Sequence, residues 1–449
     1  MPILQLNGDV TVHQISTRSV GDHSYVILAG DTAAVIDPQR DIDRLTGLFG
    51  SASLNAVMET HVHNDYVSGG ALLASGYGSR YLLPSGSGAS VRHDAVVDGD
   101  RIDIADGWHL RALHTPGHTP HHTSYALVSG GGELVVFTGG SMLVGAVGRT
   151  DLVNPNLTDG LTRDQYRSVR RLAEILGDTV VVAPTHGAGS FCAAGPVGGP
   201  TSTIAEERTR NPALVIDGID EFVAAQRAGY GLIPAHYRHM APINQAGATP
   251  VPTSPPVRSP EYVASFAGRV VDMRFTPSFA AGHIPGSISI PYSAEAAIYV
   301  AWVLPWRTPV ILISDSPPIT SAMCLDLARI GYDAVDGVVI DGLAAWRAAG
   351  HPEEQSRVAS FAQLAKDSGV RVLDVRDPHE ATFVIPGATR IHFSELGTAD
   401  LDDADGPVWV HCSAGYRSVI AASILNARGI EAVAITDLLS AYTGPQEPT

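Results

Sequence analysis

The sequence predicts an α/β protein of three domains, and three observations carry the prediction. Its 449 residues are too many for one core, since domains average about 150 residues. The first half alternates short apolar, strand-like runs with loops and helices. The second half contains an internal repeat: VVDMRFTPSFAAGHIPGSISIPYS from Val270 matches RVLDVRDPHEATFVIPGATRIHFS from Arg371. Asp272 and Arg274 of one copy fall on Asp374 and Arg376 of the other, so one α/β domain occurs twice.

Charge and composition restrict the partners. The chain has 29 basic and 46 acidic residues, a formal charge of −17. A polyanion gains nothing from counterion release, so neither nucleic acid nor an anionic membrane is expected as a partner. The N-terminus MPILQLNGDVTV has no basic segment followed by an apolar one, and the longest apolar stretch, AAIYVAWVLPW at 296–306, falls short of the ~20 residues of a membrane helix. A cytoplasmic protein is expected. Cys192, Cys324 and Cys412 are odd in number and far apart, which argues against a disulfide framework and for a reduced compartment.

Taken in order, YVILAG followed by DTAAVIDP reads as a hairpin, and NAVMET as a buried strand that enters a loop. That loop, ETHVHNDYVSGG, carries His61, His63 and Asp65. His118 follows in HTPGHTPHHTSY, and His186 ends the strand VVVAPTH. Histidines at successive strand ends can converge on one point, and neutral imidazole is a preferred ligand of zinc or iron(II). HTSYALVSGGGELVVFTGG reads as a second hairpin, TRDQYRSVRRLAEIL as a helix opened by Thr162, and AEERTRNPAL with DEFVAAQRAG as a helical extension. Residues 241–260, APINQAGATPVPTSPPVRSP, are rich in Pro, Ser and Gly and are expected to be a linker. The expected domains are therefore 1–240, 261–352 and 356–449.

In each repeat a strand ends in Asp-x-Arg, a Pro-Gly turn follows, and a second strand runs into a loop that opens a helix. Strands alternating with helices imply a parallel sheet with its chemistry at the carboxyl ends. In the second copy the loop is CSAGYR, placing Cys412 at its start and Arg417 at its end. Backbone N–H groups, the helix dipole and the arginine all favour a thiolate there.

CSAGYR resembles the active-site loop of the rhodanese family, which implies Cys412 as sulfur acceptor, a persulfide on it as intermediate, Arg417 as its catalytic partner, and Ser413 and Gly415 as supporting loop residues. Similar phosphatases place one more residue between Cys and Arg, so the shorter loop suits a sulfur atom rather than a phosphate. Asp374 and Arg376 match the family's strand end and are expected to brace the domain. In the first copy SDSPPITSA replaces the cysteine loop, with Asp315 aligned on the nucleophile. Its DGLAAWRAAGHP still resembles the family's closing signature, so a scaffold without a nucleophile is expected.

His61, His63, Asp65, His118 and His186 resemble the ligand positions of the metallo-β-lactamase superfamily, which implies an αββα sandwich ahead of two rhodanese-like domains with parallel sheets. Within the superfamily the likeness is to persulfide dioxygenases fused to an inactive and then an active rhodanese, and FTGGSMLVGAVGRTDL with Arg149 and Asp151 belongs to it. Those enzymes hold one iron(II) by two His and one Asp. His61 and His118 match the histidines, but the carboxylate position reads Gly140 in Thr138-Gly139-Gly140, and a further ligand position reads Tyr66. The remaining set is His61, His63 and His118, with Asp65 or Ser141 as substitutes, holding one iron(II) or zinc ion. Cys192 is either a sulfur-accepting thiol near the metal or a small core residue.

The expected function is persulfide handling: a low-molecular-weight thiol persulfide or thiosulfate as partner, sulfurtransfer at Cys412, and a homo-oligomeric assembly. Two alternatives stand beside it. In one, the metal domain is catalytically dead and serves as a binding or dimerisation module. In the other, it is a zinc thioester hydrolase.

Overall fold

The structure is a computed structural model that describes residues 3–6, 10–367, 369–380, 383–401, 406–445 and 447–448. Ala381 and Thr382 of the repeat motif and the first two residues lie outside the described set. The chain divides into two compact units, one formed by Met1–Val251 with Ala328–Gly331 and the other by Pro252–Leu327 with Tyr332–Thr449.

In the first unit, alternating burial along strands such as Val10–Thr17 gives each sheet one face toward a shared interior. One sheet has seven strands in sequence order and the other has six. Tyr25, Ile27, Met58, Tyr125 and Phe137 lie in the buried cluster they share. Helices Asp43–Phe49 and Gly70–Tyr77 contribute Leu45, Phe49, Leu73 and Ala74 to a second cluster. Helix Thr158–Ile175 packs through Val169, Leu172 and Ala173 into a third. This is the expected αββα arrangement.

Both expected hairpins form. Asp22–Ala29 pairs antiparallel with Thr32–Ile36, and Thr123–Ser129 with Gly132–Gly139. The long helix starts earlier than expected, at Thr158, so Thr162 lies within it, and its hydroxyl donates to the Thr158 carbonyl.

The expected linker at 241–260 is partly ordered instead, because helix Tyr237–Ala246 runs into it. Asn244 explains this. Its amide donates to the carbonyls of His63 and Tyr66, and its oxygen accepts from the Ser68 N–H. One buried side chain thus ties this helix to the loop that carries His63 and Asp65.

In the second unit each repeat forms its own parallel sheet. The first copy orders Ile288–Ser289, Arg269–Asp272, Val310–Ile313 and Val335–Val339. The second orders Arg357–Ala359, Ala432–Ile435, Val408–His411, Arg371–Asp374 and Thr389–Arg390. All these strand pairs are parallel. Asp272 pairs with Ile313 and Asp374 with His411. The residue equivalent to Cys412 is therefore Ser314, not Asp315: the strand register counts one residue fewer than an alignment of the apolar runs. Ser314 is as buried as Cys412, at 2% exposure each, whereas Asp315 is exposed.

Candidate metal centre and cysteine loop

The histidines of the first unit gather where the two sheets present their strand ends. Ser53–Met58 delivers His61 and His63, Trp108–His114 leads to His118, and Val181–Pro184 leads to His186. All four rings and Asp65 are buried. Ligand atoms of His61, His118 and His186 lie within 4.8 Å of one another, and those of His63, Asp65 and His186 form a second such group sharing His186.

Hydrogen bonds orient these rings. His118 Nδ1 is 2.7 Å from the Arg149 carbonyl, which accepts only, so Nδ1 carries the hydrogen and Nε2 keeps its lone pair. Thr60 donates its hydroxyl to Asp37 and so accepts from His61 Nδ1 at 2.9 Å. His186 Nδ1 lies 2.9 Å from Asp22 Oδ1 and 3.3 Å from Asp65 Oδ2. The Nε2 atoms of His61 and His186 face each other at 3.4 Å.

The electrostatics follow from burial. Burial and the neighbouring imidazoles hold His61 well below the usual histidine range, and burial with His186 brings His118 down to about 3. Burial also opposes charge on His186, but the Asp65 and Asp22 carboxylates outweigh it and raise the group to about 9. Asp65 is kept ionised because His186 overcomes its burial. His118 Nε2 and both Asp65 oxygens have no well-aligned hydrogen-bond partner. Buried atoms left unpaired in this way are costly, and a cation that takes the place of the His186 proton satisfies the imidazole nitrogens and the carboxylate together. The donor set fits a metal ion.

His63, of the expected set of His61, His63 and His118, belongs with Asp65 and His186 to the second group of converging ligand atoms, and its buried Nδ1 has no hydrogen-bond partner. Its Nε2 lies 3.2 Å from Asp37 Oδ1, 3.2 Å from Glu59 Oε2 and 3.0 Å from the Tyr66 hydroxyl. His63 is thus held from behind through Nε2, as the other rings are held through Nδ1, and His186 is the ring shared by both groups. Burial pushes Glu59 up to about 7, and burial together with the nearby carboxylates pushes the Tyr66 phenol far up. Tyr66, at a position where a ligand is expected, thus remains a neutral hydrogen-bond partner of His63.

Gly140 is held on both sides. Its N–H donates to His122 Nε2 at 3.0 Å, and its carbonyl accepts from Gln165 at 3.1 Å. A Cβ at this position would lie 2.2 Å from His118 Cδ2. The space where a side chain would start is taken by the His118 ring. Ser141 Oγ is buried without a partner. Arg149 and Asp151 form a two-pronged ion pair at 2.7 and 2.8 Å. Cys192 is buried beside the Tyr237 hydroxyl at 3.7 Å, and burial with Asp65 and Asp22 pushes its thiol far up, leaving it neutral.

In the second unit Cys412 follows strand Val408–His411, and helix Tyr416–Ala427 starts four residues later. Gly415 makes the loop possible: its φ of 80° is left-handed, and a Cβ there would lie 2.3 Å from the Thr436 carbonyl oxygen. Arg417 Nη2 is 2.7 Å from Glu380 Oε1, and Ser413 Oγ is 3.5 Å from the same oxygen. Asp374 and Arg376 sit behind the loop, with Arg376 Nε and Nη2 at 2.9 and 2.6 Å from the carboxylate and Nη2 at 2.6 Å from the Phe383 carbonyl. Asp272 and Arg274 repeat this geometry, at 2.9 and 2.6 Å.

Sequence reasoning missed Asp37, Asp22, Glu59, His122, Asn244 and Glu380. Asp37, which accepts from Thr60 and Thr185, carried one local sign, an Asp-Pro pair just after a strand. Tyr299 was missed as well. It lies on helix Ala296–Val303 of the first copy and packs on Tyr416 at 5.1 Å, beside the cysteine loop.

The folds and the two sites define a metallo-β-lactamase-type domain joined to a rhodanese-like one, and the comparisons agree. The family described as the metallo-β-lactamase superfamily matches residues 20–186, and the rhodanese-like domain matches 358–438. Persulfide dioxygenase ETHE1, mitochondrial, of Bos taurus is 32% identical over 210 residues, covering 44% of this chain and 74% of that protein. A hydroxyacylglutathione hydrolase of Pseudomonas paraeruginosa is 28% identical, covering 38% of this chain and 65% of that protein. The crystal structure of a metallo-β-lactamase from Staphylococcus aureus subsp. aureus COL superposes with a TM-score of 0.66 at 26% identity, covering 74% of this chain and 99% of that one. The chain belongs to the metallo-β-lactamase superfamily, in the family of the ETHE1-type persulfide dioxygenases, and carries a C-terminal rhodanese-like domain. No described helix is long and apolar enough to cross a membrane.

Proposed function

We propose that the chain processes thiol persulfides at two centres, a metal site in domain 1–240 and the Cys412 loop in domain 356–449, with 261–352 as a scaffold lacking a nucleophile. The observation that carries this reading is the convergence of ligand atoms of His61, His118 and His186 within 4.8 Å of one another, beside the buried Asp65 carboxylate. Iron(II) bound there supplies open positions for O₂ and a substrate sulfur. The chain's own contribution is preorganisation: Thr60 and the Arg149 carbonyl fix the His61 and His118 tautomers, and burial excludes bulk water.

At the second centre the Cys412 thiolate attacks the outer sulfur of a persulfide. A new S–S bond forms on Cys412, the donor's S–S bond breaks, and the electron pair leaves with the donor thiolate. Arg417 offers the charge that stabilises the sulfur anion. The test is Cys412→Ser, expected to abolish sulfurtransfer while leaving metal content unchanged; transfer surviving in that variant overturns the assignment.

One observation favours a second reading. Gly140 provides no carboxylate, and the His118 ring fills the space beside it, so a three-histidine site of the zinc type follows. That site would hydrolyse thioesters without oxygen, or only bind. Oxygen uptake during persulfide turnover separates the two readings.

A further inference from the structure

We propose that Glu380 sets the donor preference of the Cys412 loop, favouring an organic thiol persulfide over the thiosulfate dianion. The inference rests on the reading of Cys412 as a sulfur acceptor.

The Glu380 carboxylate spans the loop from its second residue to its last. The same oxygen, Oε1, lies 2.7 Å from Arg417 Nη2 and 3.5 Å from Ser413 Oγ. Glu380 closes the short turn Pro378–Glu380, a few residues beyond strand Arg371–Asp374. The Asp374–Arg376 pair fixes the chain between them, since Arg376 reaches on to the Phe383 carbonyl beyond the turn. Its side chain is 37% exposed and that of Arg417 is 16% exposed, so the pair sits at the mouth of the loop, where donors arrive.

The two donors differ in where they carry charge. Thiosulfate presents two negative charges directly beside the sulfur to be transferred. A sulfonate that reaches Arg417 lies against the Glu380 carboxylate already held on Arg417 Nη2. Like charges in contact oppose binding, and rim charges act on encounter more than on chemistry. An organic persulfide brings at most one charge to the reacting sulfurs, with its other groups further off. In both cases the Cys412 thiolate takes the outer sulfur. Sulfite leaves from thiosulfate and a thiolate from the persulfide, each with the electron pair of the broken S–S bond.

The experiment measures single-turnover loading of Cys412 in the full-length protein, read by mass spectrometry as the gain of one sulfur. The donors are sodium thiosulfate and glutathione persulfide, tested on wild type, Glu380→Gln and Glu380→Asp. Removing the charge is expected to raise the thiosulfate loading rate about tenfold and to change the glutathione persulfide rate by less than about threefold. Glu380→Asp, which keeps the charge, is expected to retain the wild-type ratio. Equal change for both donors, or the same shift in Glu380→Asp as in Glu380→Gln, overturns the inference while the role of Cys412 stands. If neither donor loads Cys412 in any protein, that role falls and the inference falls with it.

Discussion

His61 and His186 face each other through Nε2 atoms 3.4 Å apart, each ring held from behind, by Thr60 and by Asp22. Two imidazoles so oriented need a proton or a metal between them. Substituting the partner behind a metal-binding ring typically costs ten- to a hundredfold in affinity. Asp22→Ala is therefore expected to weaken metal binding about thirtyfold, measured by competition with a chelator of known affinity.

Gly140 leads to a counterintuitive expectation. Adding the carboxylate that this position lacks should not repair an iron site, because the new Cβ meets the His118 ring at 2.2 Å. Gly140→Asp and Gly140→Ala should both lower stability by about 2 kcal/mol and reduce bound metal per chain. Denaturant unfolding and elemental analysis check this; a Gly140→Asp protein with more iron than wild type contradicts it.

The two Asp-x-Arg pairs make a matched test. Asp272–Arg274 and Asp374–Arg376 are both buried, with the same 2.6 Å contact. Removing one partner leaves the other charge unpaired, at a cost of about 3 kcal/mol. Asp272→Asn and Asp374→Asn should destabilise the protein to a similar extent, while Asp374→Asn should also slow sulfurtransfer by disturbing the turn behind the cysteine loop.

Acid should weaken the second unit through His411. Burial holds this imidazole down to about 4, against an ordinary 6.5. The unfolded chain takes up a proton below pH 6.5 that the folded one refuses, so the stabilisation is complete above 6.5 and disappears as pH falls to about 4. The window corresponds to about 3 kcal/mol. Urea unfolding of His411→Leu between pH 7 and pH 4 should show a flatter pH dependence than wild type.

Much of this architecture was legible in the sequence. The repeat announced two parallel-sheet domains because Asp-x-Arg and Pro-Gly recur in step, and the strand-end histidines announced a metal domain. What was not legible depends on tertiary placement. That His186 is shared by both groups of ligand atoms depends on the fold, since it lies 125 positions beyond His61. The replacement of Asp315 by Ser314 as the counterpart of Cys412 depends on strand register, which a run of apolar residues does not specify. Glu380 lies 37 positions before Arg417, and nothing local marks it as an ion-pair partner.

The most direct test of the central claim is oxygen uptake by anaerobically iron-loaded protein given glutathione persulfide, run beside His118→Ala and Cys412→Ser. The account predicts uptake by the wild type and by Cys412→Ser and none by His118→Ala. No uptake by the iron-loaded wild type would contradict oxidation at the histidine centre and leave Cys412 as the seat of the chemistry.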